Sequence, residues 1–205
     1  MSDTVRRLTD VLVATLVLVL GIPVIVLVAL AVRIGLGSPV LFRQRRLGLG
    51  GVPFDVLKFR TMHHPRPGFE GPEHDALRLT ALGRFLRSTS LDELPSFVNM
   101  LRGEITLVGP RPLPEHYWPR YLDEEYRRFE VKPGITGLAQ INGRNATDWD
   151  TRLALDVRYV RERSLLGDLR IVASTVPMVL RRHGVDQAGG VTMQALPENR
   201  RPASS

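Results

Sequence analysis

VLVATLVLVLGIPVIVLVALAV, residues 11–32, holds no ionisable side chain, and Thr15 is its one polar residue. As a helix, a run of this length extends about 33 Å, enough to cross a hydrocarbon core of about 30 Å. It is too long for the apolar part of a secretory signal, and no small-residue cleavage site follows it. Gly21-Ile22-Pro23 interrupts it at the middle. Proline removes one helical N–H and its ring clashes with the carbonyl four residues back, so a bend or break is predicted there. Arg6 and Arg7 flank one end; Arg33, Arg43, Arg45 and Arg46 flank the other. A spanning helix usually shows charge asymmetry, whereas this symmetry suits a segment that enters, turns and leaves by the same face. On composition alone a kinked spanning helix is the stronger reading by a small margin, because proline is tolerated in such helices.

The remaining length, in a chain of 205 residues, is enough for one modest domain. Hydrophobic residues make up 43% and charged residues 24%, which excludes global disorder. There is no cysteine, so disulfides and thiolate metal sites are excluded. The net charge of +7 calls for an acidic partner: nucleic acid, an anionic lipid surface or a phosphorylated substrate.

Pro39–Arg46 and Pro53–Arg60 are β-rich runs around Gly48, Gly50 and Gly51, and predict a β-hairpin. Period two puts Phe54, Val56, Lys58 and Arg60 on one face, where two cations can meet one anion or simply face solvent. Residues 63–75, rich in Pro, Gly, His and Glu, predict a mobile loop with solvated histidines. Helices are expected over 76–86, 94–101, 114–130, 148–163 and 168–182, a short strand over 104–108, and a Gly-rich loop over 131–145. The segment 197–205 is expected to be disordered. The fold class is thus α+β and mainly helical.

Arg87-Ser88-Thr89-Ser90-Leu91-Asp92-Glu93-Leu94-Pro95 leads into one of these helices. Ser90 and Glu93 fit a capping box, which gives the stretch a structural explanation. Its chemistry goes further. Adjacent carboxylates bind a hard cation such as Mg²⁺ through one or two oxygens, leaving the rest of the shell to water and phosphate. One carboxylate can also attack phosphorus and divide a difficult transfer into two steps. In Gly109-Pro110-Arg111-Pro112, the prolines restrict the backbone around Arg111 and prepare it for bidentate phosphate binding. Lys132–Asn145 carries glycines that permit close backbone approach, but it lacks the Gly-Lys-Ser/Thr ending of a Walker loop.

Six stretches stand in one order: Lys58-Phe59-Arg60-Thr61-Met62, Ser90-Leu91-Asp92-Glu93-Leu94, Val108-Gly109-Pro110-Arg111-Pro112, Pro133-Gly134-Ile135-Thr136-Gly137, Asn142-Gly143-Arg144-Asn145 and Leu155-Asp156-Val157-Arg158-Tyr159-Val160. Together, behind a proline-broken apolar segment, they resemble the bacterial sugar transferase family, the monotopic polyprenyl-phosphate phosphoglycosyl transferases, in a minimal form. The resemblance runs from about Arg6 to Met193. It implies a re-entrant membrane helix at 1–36, a small catalytic domain at 37–196 with the hairpin and amphipathic interfacial helices, and a location on the cytoplasmic face of the bacterial inner membrane. It implies that Asp92 is the nucleophile on the phosphate bearing the sugar and that Glu93 helps hold Mg²⁺. A nucleoside monophosphate, UMP where the donor is a UDP-sugar, leaves, and polyprenyl phosphate takes the phosphosugar. Lys58, Arg60, Arg87, Arg111, Gln140 and Arg144 map to substrate-binding positions, and residues 63–75 to a mobile cover. The partners implied are nucleotide sugar, polyprenyl phosphate and membrane lipids, with no nucleic acid; homo-oligomerisation is compatible with the resemblance. Ile22 stands where the family usually has serine, and Leu138 where an aromatic residue is common.

Two other functions fit part of the sequence. A glycosyltransferase that moves only the sugar would release a nucleoside diphosphate instead. A non-catalytic basic module would bind nucleic acid or anionic lipid, although the arginines here are scattered over several elements rather than set along one stripe.

Overall fold

A computed structural model describes residues 2–65, 67–68, 74–143, 148–180 (backbone alone at 179 and 180), 195–198 and 200. The apolar run falls in two helices, α1 (Ser2–Leu20) and α2 (Ile22–Leu36), bent by 64° at Gly21. No single described helix is long and apolar enough to cross a membrane; the bent pair together meets that requirement. Glycine is needed at the bend, because a Cβ on Gly21 would lie 2.4 Å from the Val17 carbonyl oxygen. The Gly21 N–H donates to that oxygen at 2.9 Å, and Ile25 N–H donates to the Gly21 carbonyl at 2.8 Å. Pro23 stands in the first turn of α2, where a missing N–H costs nothing. The break therefore needs no serine hydroxyl at position 22.

Both helices expose apolar side chains, among them Leu12, Leu16, Leu20, Leu27, Leu30 and Ile34. Their inner faces join the domain core. Ala14 packs with Phe54, Val56, Met100 and Ile105; Val28 and Val32 pack with Phe59 and Leu86. Full burial of a Val, Leu, Phe or Met is worth about 1.5–3 kcal/mol, so these contacts fix the helix pair to the domain.

The expected hairpin is β1 (Leu41–Leu47) with β2 (Pro53–Phe59), antiparallel, Leu41 opposite Phe59 and Leu47 opposite Pro53. The outer edge of β2 is closed by side chains of α5 (Ser96–Arg102). Asn99, fully buried, accepts the Leu57 N–H at 3.0 Å and donates to the Asp55 carbonyl at 2.8 Å, while Ser96 donates to the Leu57 carbonyl at 2.7 Å. These bonds supply what a neighbouring strand would.

Three expectations need correction. The helix expected over 76–86 is two, α3 (Asp75–Arg78) and α4 (Ala81–Ser88), because Leu79 and Thr80 are extended and Thr80 Oγ1 caps α4 from the Gly83 N–H at 3.0 Å. The helix expected over 114–130 is two 3₁₀ segments, Glu115–Arg120 and Asp123–Glu130. Pro119 lacks the N–H a regular helix needs, and extended Tyr121 joins Tyr117 and Phe129 in a core with Leu47, Leu113 and Leu153. The Gly-rich loop contains β4 (Gly134–Thr136), which pairs in parallel with β3 (Thr106–Val108), and α6 (Leu138–Ile141).

The chain continues into α7 (Trp149–Glu162), whose cap Asp148 accepts the Thr151 N–H at 2.9 Å, and α8 (Leu165–Leu180). The described residues just before and within the 197–205 segment make contacts with the domain. Leu196 is fully buried in the core with Leu47 and Leu153, Arg120 donates to its carbonyl at 2.7 Å, and Arg200 pairs with Glu125 at 2.6 Å. The architecture is mainly helical with a small hairpin.

Candidate active site

Asp92 and Glu93 lie in a single 3₁₀ turn, Leu91–Glu93, between α4 and α5. Ser90 enters it with φ 57° and ψ 16°, and its side chain makes no cap. The capping-box reading therefore fails: left-handed backbone carries the hydroxyl away from the turn. A non-glycine residue in this conformation is strained by roughly 1–3 kcal/mol, a feature that clusters at functional sites.

Glu93 is gripped by two cations. Lys58 Nζ, from β2, donates to its Oε1 at 2.6 Å, and Arg111 donates to the same oxygen at 3.0 Å. Burial acts to raise the Glu93 carboxyl, but the charges and hydrogen bonds of Lys58 and Arg111 outweigh it and hold it well below the usual range. Asp92 is the opposite case. It is buried, and among the described residues no hydrogen bond reaches its carboxylate. Burial pushes it up to about 6, with Lys58 opposing and Glu93 reinforcing the rise. It remains mainly ionised at neutral pH. The dyad thus pairs a committed carboxylate with one whose oxygens have no donor among the described residues.

Arg111 is held in place through the backbone around it. The Val108 carbonyl lies 2.9 Å from the Tyr159 hydroxyl. Pro110 O accepts from Gly134 N–H at 2.9 Å, Arg111 O from Arg128 at 2.6 Å, Pro112 O from Arg46 at 3.3 Å and Leu113 O from Leu47 N–H at 3.1 Å. Arg128 is itself buried and paired with Asp156 at 2.8 Å. Gly109 and Gly134 meet backbone to backbone: a Cβ on Gly134 would lie 2.1 Å from the Gly109 nitrogen. Arg111 therefore reaches Glu93 from a segment with little freedom to move, which is the condition for an electrostatic site that needs no reorganisation.

A small pocket opens beside this grip, lined by Arg46, Lys58, Glu93, Arg111, Pro112 and Ile135, among others. Arg46 was read in the sequence only as a flanking charge. Its signal lay in the hairpin register: Arg46 stands opposite Phe54, and Phe42 opposite Lys58, so Arg46 and Lys58 share a face. Burial lowers Arg46 to about 10, and the like charge of Arg111 adds to this. A half-buried guanidinium with a cationic neighbour favours an anionic ligand between them.

The other expected site residues are placed differently. Arg87, on α4, donates to Thr61 Oγ1 at 3.1 Å and its charge acts on Asp92. Arg60 follows the end of β2, is buried, and bonds the carbonyls of Leu36, Gly37 and Ser38 at the end of α2; it also meets His64. It is not brought to the dyad. Gln140 donates to the Ile135 carbonyl at 2.7 Å, and its buried Oε1 has no partner among the described residues. Arg144 and part of the 63–75 loop lie outside the described residues.

Among the described residues no group of three or more His, Asp or Glu could enclose a metal. Two adjacent carboxylates, one with no donor among the described residues, fit Mg²⁺ instead, which takes one or two protein carboxylates and completes its shell with water and phosphate.

The chain matches the family described as bacterial sugar transferase over residues 1–182. It is 48% identical over 190 residues to the uncharacterized sugar transferase EpsL of Bacillus subtilis, covering 92% of this chain and 94% of that one. It is 42% identical over 188 residues to the UDP-glucose:undecaprenyl-phosphate glucose-1-phosphate transferase of Caulobacter vibrioides, covering 87% and 70%. It is 38% identical over 198 residues to the exopolysaccharide production protein ExoY of Rhizobium meliloti, covering 87% of each.

Proposed function

Because the chain belongs to the bacterial sugar transferase family, we propose that it transfers a sugar phosphate from a nucleotide sugar to a polyprenyl phosphate through a phosphosugar carried on Asp92. The enzyme class, a polyprenyl-phosphate phosphoglycosyl transferase, follows from the family and from the names of its relatives. The observation that carries the mechanism is the unequal dyad: Lys58 and Arg111 occupy Glu93, and among the described residues no donor reaches Asp92.

Asp92 attacks the phosphorus that bears the sugar, and the bond from that phosphorus to the nucleoside monophosphate breaks. An acyl phosphate joins Asp92 to the phosphosugar. A polyprenyl phosphate oxygen then attacks the same phosphorus, the bond to Asp92 breaks, and polyprenyl diphosphate sugar leaves with the carboxylate restored. Lys58, Arg111, Arg46 and Arg87 supply positive charge around the phosphates. Mg²⁺, held by Asp92 and Glu93, would neutralise and orient the diphosphate. The donor is a UDP-sugar, as named for the Caulobacter vibrioides relative, and the carrier is undecaprenyl phosphate. The product serves exopolysaccharide synthesis, as the name ExoY indicates for that relative.

The bent helix pair supports a re-entrant membrane segment. Its start is bonded to α5 and its end to Arg60 beside the hairpin, so both ends belong to one domain on one side. The apolar flanks of α1 and α2 lie in lipid, and the dyad sits at the boundary where carrier phosphate and soluble donor meet. The catalytic domain then lies on the cytoplasmic face of the inner membrane.

The test is direct. The protein in lipid vesicles is given a panel of nucleotide sugars with undecaprenyl phosphate, and the released nucleotide is identified. Monophosphate release is expected. Nucleoside diphosphate release would instead show transfer of the sugar alone.

A further inference from the structure

Three polar side chains at the start of α1 reach the catalytic domain. Arg6, Arg7 and Asp10 fall within a sector of about 100° on a helix of 3.6 residues per turn. Arg7 donates to the carbonyls of Met100 and Leu101, each at 2.7 Å, at the end of α5. Asp10, buried just before the apolar stretch of α1 begins, accepts from Thr106 Oγ1 at 3.0 Å and from the Leu107 N–H at 2.8 Å, on β3. Arg6 Nε donates to Asp168 Oδ2 at 2.7 Å, on α8.

The Arg6 contact continues inward. Asp168 Oδ1 lies 2.8 Å from the Tyr159 hydroxyl, and that hydroxyl lies 2.9 Å from the Val108 carbonyl. A phenol has one proton, so Tyr159 serves one of these two acceptors at a time. Asp168, a carboxylate, is the stronger acceptor when alone. Its pairing with Arg6 through Oδ2 fixes the carboxylate, and Oδ1 in turn holds the Tyr159 hydroxyl beside the Val108 carbonyl. Val108 immediately precedes Gly109-Pro110-Arg111, and Arg111 is one of the two cations on Glu93. The transfer chemistry above uses none of Arg6, Asp168 and Tyr159.

We propose that Arg6, Asp168 and Tyr159 are positioning residues, a hydrogen-bonded chain through which the seating of α1 sets the Gly109–Pro112 segment and so holds Arg111 on Glu93. The proposal rests on the transferase reading of the dyad. When Arg6 is withdrawn, Asp168 loses its anchor, the Tyr159 hydroxyl is no longer fixed beside the Val108 carbonyl, and the segment carrying Arg111 loosens at its entry. The membrane helix thereby does more than anchor: its position is felt at the dyad, through four elements and three side chains.

The test uses the full chain in lipid vesicles, with kcat and KM normalised to folded, vesicle-bound protein. Tyr159→Phe and Arg6→Gln are expected to lower kcat about 10-fold with KM changed less than about 2-fold, since the lost interaction acts on the dyad rather than on substrate binding. The double variant is expected to be no slower than the slower single, because both cut one chain. Arg6→Lys is expected to recover most of the rate. Glu162→Gln, on the exposed side of α7, is the control and is expected to match the parent. Parental kcat in both singles would overturn the proposal, as would multiplied losses in the double. So would losses that Arg6→Lys leaves unrepaired. Should Tyr159→Phe fold poorly, the Arg6 pair decides the matter. An inactive parent would remove the transferase reading and this proposal with it; an active parent with silent variants would remove this proposal alone.

Discussion

Asn99 and Leu57 form a side-chain-to-backbone bond of 3.0 Å that stands in for a missing strand. Asn99 is fully buried, and its amide also reaches the Asp55 carbonyl at 2.8 Å. Lys58, which grips Glu93, is the next residue along β2. The edge closure and the active-site cation thus share one stretch of backbone.

Replacing Asn99 with leucine takes the amide partner from the buried Leu57 N–H and from the part-buried Asp55 carbonyl. The expected loss is about 2–6 kcal/mol, at roughly 1–3 kcal/mol for each unsatisfied group. A shift of the denaturant midpoint with unchanged slope measures it, and an unshifted midpoint would refute the edge-closure role.

Asp92→Asn removes the proposed nucleophile and one of the two carboxylates proposed to hold Mg²⁺, while breaking no hydrogen bond among the described residues. Turnover is expected to fall by at least about 1,000-fold, because the covalent step has no other route. Mass analysis of the parent with donor alone should find a phosphosugar on Asp92, absent from the variant. A variant that still turns over at a substantial rate would end the assignment.

Lys58→Met removes one of the two donors to Glu93 Oε1. Loss of a preorganised charge of this kind costs about 100-fold in kcat or more. A parental kcat in this variant would show that the grip on Glu93 does not contribute to catalysis.

Excess chelator is expected to stop the reaction and added Mg²⁺ to restore it. Two carboxylates and no third described ligand make a weak site, so removal should be rapid and reversible. Full turnover in chelator would remove the metal from the mechanism.

The chain has no cysteine, so Ser2→Cys and Ser205→Cys each create a unique label. Both are expected to react with a membrane-impermeant thiol reagent from the same side of inverted membrane vesicles. Reaction from opposite sides would show a spanning segment.

Local patterns made much of this molecule legible. The alternating hairpin, the break at Gly21–Pro23 and the amphipathic helix at 149–162 depend on residues near each other in sequence, and all three are in the structure. The pairing of β4 with β3 was not legible, because each strand is three residues long and the partner is remote. The helix expected over 114–130 failed because aromatic packing of Tyr117, Tyr121 and Phe129 overrides helical periodicity around Pro119. At the site, Lys58, Glu93 and Arg111 converge from three separate stretches. Arg60 shares the strand parity of Lys58, yet it lies beyond the last β2 residue, where the end of α2 offers it three carbonyls. Parity cannot tell a cation facing a ligand from one closing a helix.

The family match stops at residue 182, yet Leu196 fills the centre of a core built from Leu47, Tyr117 and Leu153. Shortening the protein at the match boundary would open a hole beside Leu47 of β1. Trimmed versions made for crystallisation or tagging should therefore retain residues through Arg200, since the minimal folding unit is longer than the recognisable one.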